Sequence, residues 1–159
     1  MNSRKSAFTP AFQWAKLVAE KQVSPVELTD LYLRRIDELN PKLNAYITVT
    51  ADLAMADAKD AERSVVAGGS LGPLHGVPIS IKDLESTAGI RTTFGSLLFK
   101  DHIPNIDSGV VERVRNSGAI ILGKTNTPEF GVSGTTENRL GDDCRNPWDI
   151  ERTSGGSSG

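Results

Sequence analysis

Cysteine occurs once in these 159 residues, at Cys144. One thiol excludes an internal disulfide framework and a cysteine-rich metal centre, and a reducing cytoplasm is the expected compartment. Histidine occurs twice, at His75 and His102, too sparse and too separated for a zinc cluster. Apolar runs stop at about four residues, far below the roughly 20 that a membrane span requires. The start, Met1-Asn2-Ser3-Arg4-Lys5-Ser6, is charged but leads into no apolar segment, so no secretory signal is expected. Eighteen Lys and Arg oppose 20 Asp and Glu without clustering, which leaves no basic patch for nucleic acid. Aromatic residues are only 6%, and Trp14 and Trp148 read as packing residues rather than stacking platforms. What is present, 38% apolar and 24% charged residues, is the balance of a soluble globular domain long enough to bury a core.

The first 70 residues read as a helical segment. A short helix is predicted over 11–20. Ser24-Pro25-Val26-Glu27 is a start signal, with Ser24 as N-cap, Pro25 in the first turn and Glu27 completing a capping box. Leu28, Leu31, Tyr32, Ile36 and Leu39 then line one face at helical spacing, up to a stop at Asn40-Pro41. Ala45 to Val49 alternates as a short strand, and 51–67 is an alanine-rich helix ended by Gly68-Gly69. From Gly72 the character changes. Val77 to Ile81 reads as a buried strand, 83–104 as loop, and a helix capped by Asp107 or Ser108 carries Val110, Val111 and Val114. Ala119 to Leu122 is a second strand. Strand, helix, strand implies a parallel pair. The carboxyl edge of such a pair is where α/β sheets place ligands, and Lys82 and Lys124 both stand there. Thr127-Pro128-Glu129 starts a short helix, and 138–159 reads as loop-rich.

Two features bear on chemistry. Lys82 ends the apolar run Val77-Pro78-Ile79-Ser80-Ile81, and the chain closes on Gly155-Gly156-Ser157-Ser158-Gly159. A serine nucleophile needs a base, and a lysine amine acts as one only when neutral. That requires a fall of about three units, about 4 kcal/mol, which desolvation supplies. Asp83 follows Lys82 directly, but strand neighbours point to opposite faces and need not pair. Glycine pairs let several backbone N–H groups approach one oxyanion. Read locally, Lys82 is equally a solvated strand-end lysine and the Gly/Ser stretch a flexible linker. A nucleophile elbow is rejected, because the pattern lacks a good strand before it and a histidine after it. Gly118-Ala119-Ile120-Ile121-Leu122-Gly123-Lys124-Thr125 matches the phosphate-loop pattern of nucleotide binders. Its middle residues form a strand instead of wrapping a phosphate, so this is the minor reading.

Taken together, Gly76-Val77-Pro78-Ile79-Ser80-Ile81-Lys82-Asp83, Gly123-Lys124-Thr125-Asn126-Thr127-Pro128-Glu129-Phe130, and Asn146-Pro147-Trp148-Asp149 leading to Ser154-Gly155-Gly156-Ser157-Ser158-Gly159 resemble the amidase signature family. The resemblance is weak from about residue 24 and specific from Gly72. It implies a mixed-sheet α/β fold with an N-terminal helical layer over 1–70, and the first, incomplete part of the core over 71–159. It implies a Ser-Ser-Lys triad in which Lys82 is the base and Ser157, held after a cis peptide bond, relays the proton. Gly131, Ser157 and Ser158 are implied to bind substrate, with Gly131 lining the acyl pocket and Ser158 also helping to hold the loop. The attacking serine is expected in a second glycine-rich motif beyond this chain, which is then inactive alone. The implied reaction is hydrolysis of a small-molecule amide through an acyl-enzyme, with no metal, cofactor, membrane or direct nucleic-acid partner. The runner-up within the family is the glutaminase component of the tRNA-dependent amidotransferase. Homodimerisation and assembly with amidotransferase subunits both stay open, and a scaffold without catalysis is the third reading.

Overall fold

The computed structural model describes residues 8–158, so the charged start at Met1 to Ser6 lies outside it. The chain forms two compact units. One comprises Met1–Arg35, Thr50–Ile79 and Arg113–Leu122, the other Ile36–Val49, Ser80–Glu112 and Gly123–Gly159. Each draws on both sides of residue 70.

The first unit is built on helix α1 (Ala11–Ala19), the leading part of α2 (Pro25–Leu43) and α3 (Ala51–Ala67). Ser24 caps α2 as its sequence demands. Its Oγ accepts the N–H groups of Val26 at 3.0 Å and Glu27 at 3.2 Å, and its own proton goes to Glu62. Trp14, Val18, Leu28, Leu31, Val65 and Val77 form a buried cluster. Complete burial of a side chain such as Leu28 is worth about 1.5–3 kcal/mol. Trp14 packs there as expected, its indole N–H donating to the Tyr32 hydroxyl at 3.2 Å. α3 ends at Gly68, which takes the left-handed conformation.

α2 does not stop at Asn40-Pro41. It runs through Pro41 to Leu43, because a proline in the last turn removes one hydrogen bond without blocking the turns before it. Asn44, at φ 50°, ends the helix. Asn40 latches the next element instead: its side chain accepts the Tyr46 N–H at 2.7 Å and donates to the Tyr46 carbonyl at 3.1 Å.

Strands β1 (Tyr46–Val49), β2 (Pro78–Lys82) and β3 (Ile120–Thr125) form one sheet in the order β1-β3-β2. β1 is antiparallel to β3, with Thr48 opposite Lys124. β2 and β3 run in the same direction. The Ile120 N–H donates to the Val77 carbonyl at their starts, and the Asp83 N–H to the Thr125 carbonyl at their ends. The sheet is therefore mixed, as expected. Helix α4 (Gly109–Asn116) lies between β2 and β3 in sequence. Ser108 is its cap, accepting the Val111 N–H, while Asp107 accepts from Ala88. β3 is longer than its apolar run, since pairing with β1 carries it through Gly123, Lys124 and Thr125. That removes the phosphate-loop reading: the residues that would have to curl around a phosphate are extended backbone.

Residues 145–153, expected as loop, form a hairpin of β4 (Arg145–Asn146) and β5 (Asp149–Thr153). All five residues of β5 are exposed, so no alternating pattern marks it, and it is not the buried strand of a nucleophile elbow. Trp148 sits at the turn with 95% of its surface exposed, contrary to the packing role expected of it. The Asn146 side chain organises that turn by accepting the Trp148 N–H at 2.9 Å. No helix among the described residues is long and apolar enough to cross a membrane.

Candidate active site

All the residues of the candidate site belong to the second unit. Lys82 is the last residue of β2 and half-buried. Its Nζ donates to Ser157 Oγ at 2.9 Å, across 75 positions of sequence. The Gly156–Ser157 peptide bond is cis. Gly131 closes a short 3₁₀ turn, Glu129–Gly131, at φ 72°. A Cβ built on Gly131 lies 3.7 Å from Ser157 Oγ and 2.6 Å from a Leu84 methyl, so glycine leaves the serine hydroxyl approachable from that side. Lys82, Ser157 and Gly131 thus come together. Ser158 is exposed beside them. Ser133 and Ser154 bond elsewhere, to Thr135 and to the Cys144 carbonyl.

The residue after Lys82 points the other way, as strand alternation requires. Asp83 is fully buried, and its Oδ2 accepts both the N–H and the hydroxyl of Thr93. Its Oδ1 lies 3.9 Å from Lys124 Nζ. Lys124, also fully buried, donates to the Glu85 carbonyl, to Thr87 Oγ1 at 2.8 Å and to Thr92 Oγ1 at 2.9 Å. Three acceptors match the three protons of an ammonium. Burial still lowers its pKa from 10.5 to about 8, against the opposing pull of Asp83, Glu85 and Asp107. Burial likewise raises Asp83, against the Thr93 hydrogen bonds, Lys124 and Arg91. Of the two strand-end lysines, therefore, Lys124 is committed to structure and Lys82 to Ser157. Periodicity set them at the same edge without separating them, and only the resemblance singled out Lys82. The adjacent Lys82-Asp83 pair with a second lysine on the neighbouring strand was the available signal.

A second group was missed altogether. Thr136 Oγ1 donates to the Gly155 carbonyl at 2.6 Å, and Thr127 Oγ1 reaches the Ser157 carbonyl at 3.3 Å. Neither threonine lies in a periodic pattern; Thr127 falls within the Gly123 to Phe130 segment that carries part of the resemblance, which marks the segment but not this contact, and nothing in the sequence marks Thr136. His75 Nε2 lies 3.0 Å from the Ala61 carbonyl. Cys144 is buried.

The amine-to-serine contact lies at the end of a parallel strand, with the serine in a glycine-rich loop. The family model for amidases matches residues 27–159. The chain belongs to the amidase family. It is 44% identical over 142 residues to the A component of a glutamyl-tRNA(Gln) amidotransferase from Carboxydothermus hydrogenoformans, covering 89% of this chain and 29% of that protein. It is 40% identical to an acylamidase of Rhodococcus erythropolis, covering 99% of this chain and 33% of the relative. Among solved structures it is similar to a bacterial aryl acylamidase of the amidase signature family, with TM-score 0.88 and 33% identity over 95% of this chain and 32% of that one. The chain thus spans about a third of the length of these amidase-family relatives.

Proposed function

We propose that this chain supplies the base and the relay serine of an amide hydrolase. The contact that carries the reading is Lys82 Nζ to Ser157 Oγ at 2.9 Å. The attacking serine comes from the part of the relatives' length that this chain does not span. Its proton passes to Ser157 as the Ser157 proton passes to the Lys82 amine, and the serine oxygen bonds to the amide carbon. Backbone N–H groups of the glycine-rich loops steady the oxyanion. Lys82 returns the proton through Ser157 to the departing nitrogen, the C–N bond breaks, and water then hydrolyses the ester. Gly131 keeps the side of Ser157 open for the acyl group, and Ser158 helps to hold the loop.

Alone, the 159-residue chain is expected to give no turnover of simple primary amides. Joined to the remaining length of a relative it is expected to hydrolyse them, and Lys82→Ala or Ser157→Ala should lower kcat by about 10²–10⁴-fold, the range of acid–base catalysis. Unchanged kcat in Lys82→Ala would remove the base assignment. The relative named as an amidotransferase component supports a second reading, in which the amide is glutamine and the ammonia passes to partner subunits. Co-purification of the joined protein with such subunits, with glutamine preferred to acyl anilides, selects that reading; the reverse selects a stand-alone acylamidase.

A further inference from the structure

We infer that Thr127 and Thr136 are positioning residues that aim Ser157 at Lys82; the inference rests on the relay proposed above. Residues 154–158 carry two glycines and three serines, a composition that by itself specifies little. Yet Ser157 Oγ is held within hydrogen-bond distance of one amine. What holds it is a pair of buried hydroxyls on either side of Gly156. Thr136 Oγ1 donates to the Gly155 carbonyl at 2.6 Å. Thr127 Oγ1 shares its proton between the carbonyls of Pro128, at 3.2 Å, and Ser157, at 3.3 Å. Both threonines have no exposed surface. A hydroxyl buried this deeply costs free energy unless it is bonded, so its presence calls for these acceptors.

The two anchors are themselves fixed from behind. Thr127 donates its N–H to Asn126 Oδ1 at 2.8 Å, and Asn138 Nδ2 bridges Asn126 Oδ1 and the Thr127 carbonyl at 2.7 and 2.9 Å. Asn126 in turn donates to the Asn44 carbonyl at 2.8 Å. The Thr136 carbonyl accepts the Cys144 N–H at 3.0 Å. Thr127 is thereby tied to the end of β3 and Thr136 to the start of the β4–β5 hairpin. The glycine-rich loop is clamped between two segments that carry no catalytic group themselves. Thr127 follows β3, whose neighbour β2 ends in Lys82, so one sheet sets both partners of the contact.

The test is crystallographic, with rescue by serine. In the 159-residue chain, Thr127→Val and Thr136→Val keep the shape and remove the hydroxyl, while Thr127→Ser and Thr136→Ser keep the hydroxyl. The expected result is a Lys82 Nζ to Ser157 Oγ distance beyond about 3.5 Å in the valine variants, outside hydrogen-bond range, and an unaltered contact in the serine variants. Each single valine variant releases one carbonyl, so either structure alone decides. A contact kept in the valine variants, or lost equally in the serine variants, overturns the inference. In the joined protein each valine variant should lower kcat by about 10–100-fold, as small misplacements do, with KM within about threefold. A joined protein with no amidase activity, alongside distances that move as expected, would refute the hydrolase reading and leave the positioning intact.

Discussion

Lys124→Met is the most demanding perturbation this structure offers. The side chain is entirely buried, and methionine fills similar volume without charge. Its loss removes the donor to the Glu85 carbonyl and to the Thr87 and Thr92 hydroxyls. It also removes the counter-charge of Asp83, whose Oδ1 has no hydrogen-bond partner. Removing one partner of a buried pair costs about 3–5 kcal/mol, a large share of the roughly 5–15 kcal/mol that holds a domain together. With a urea slope of about 2 kcal/mol per molar, the unfolding midpoint should fall by about 2 M. Adding Asp83→Asn removes the orphaned carboxylate, so the double variant should be more stable than the sum of the singles by about 1–3 kcal/mol. The sign of the pH dependence follows from linkage. The unfolded amine titrates near 10.5 and the folded one at about 8, so between those values the unfolded chain binds more protons. Wild-type stability, measured against Lys124→Met, should therefore rise across that window by about 3 kcal/mol. Asp83 shifts in the opposite sense: its folded pKa is raised above 3.8, so its contribution is present below 3.8 and lost as pH rises through the folded value. A midpoint that moves by less than the equivalent of about 1 kcal/mol, or a gap that narrows above pH 8, would refute the account of a buried, depressed amine.

Two further variants probe other parts of the structure. Gly156→Ala places a Cβ 2.6 Å from the Ser133 carbonyl and 2.8 Å from Gly134 and Thr135 backbone atoms. It should cost about 1–3 kcal/mol in a thermal or urea melt, and a variant as stable as wild type would show that the loop packs less closely. Ser24→Ala removes a cap that serves two N–H groups and the partner of Glu62; a loss of about 1 kcal/mol is expected, with no change in the Lys82–Ser157 distance.

Local signals in this chain were reliable where a residue's own chemistry decides the backbone. Ser24 as a cap, Gly68 as a helix end and Ile81 as a buried strand residue are properties of single side chains and their near neighbours. The direction of β2 relative to β3 followed from the intervening helix. Where an outcome depended on a distant partner, the local reading failed. β3 extends through Lys124 because β1 pairs with it, a hairpin forms at 145–153 from residues with no apolar alternation, and Trp148 is turned out to solvent. Pro41 is tolerated because Asn40 and Asn44 build the exit from the helix.

Lys82 and Ser157 could be singled out from the linear order of residues, because the motifs around them are strings of particular side chains. Their meeting was expected from the resemblance alone; the 2.9 Å contact that realises it exists only in the tertiary structure. Which of two lysines at one sheet edge meets the serine was settled by burial and by partners 32–39 positions away in the chain, Thr92, Thr87 and Glu85, that occupy Lys124. Periodicity and composition describe neighbours along the chain, whereas desolvation and hydrogen-bond saturation depend on neighbours in space.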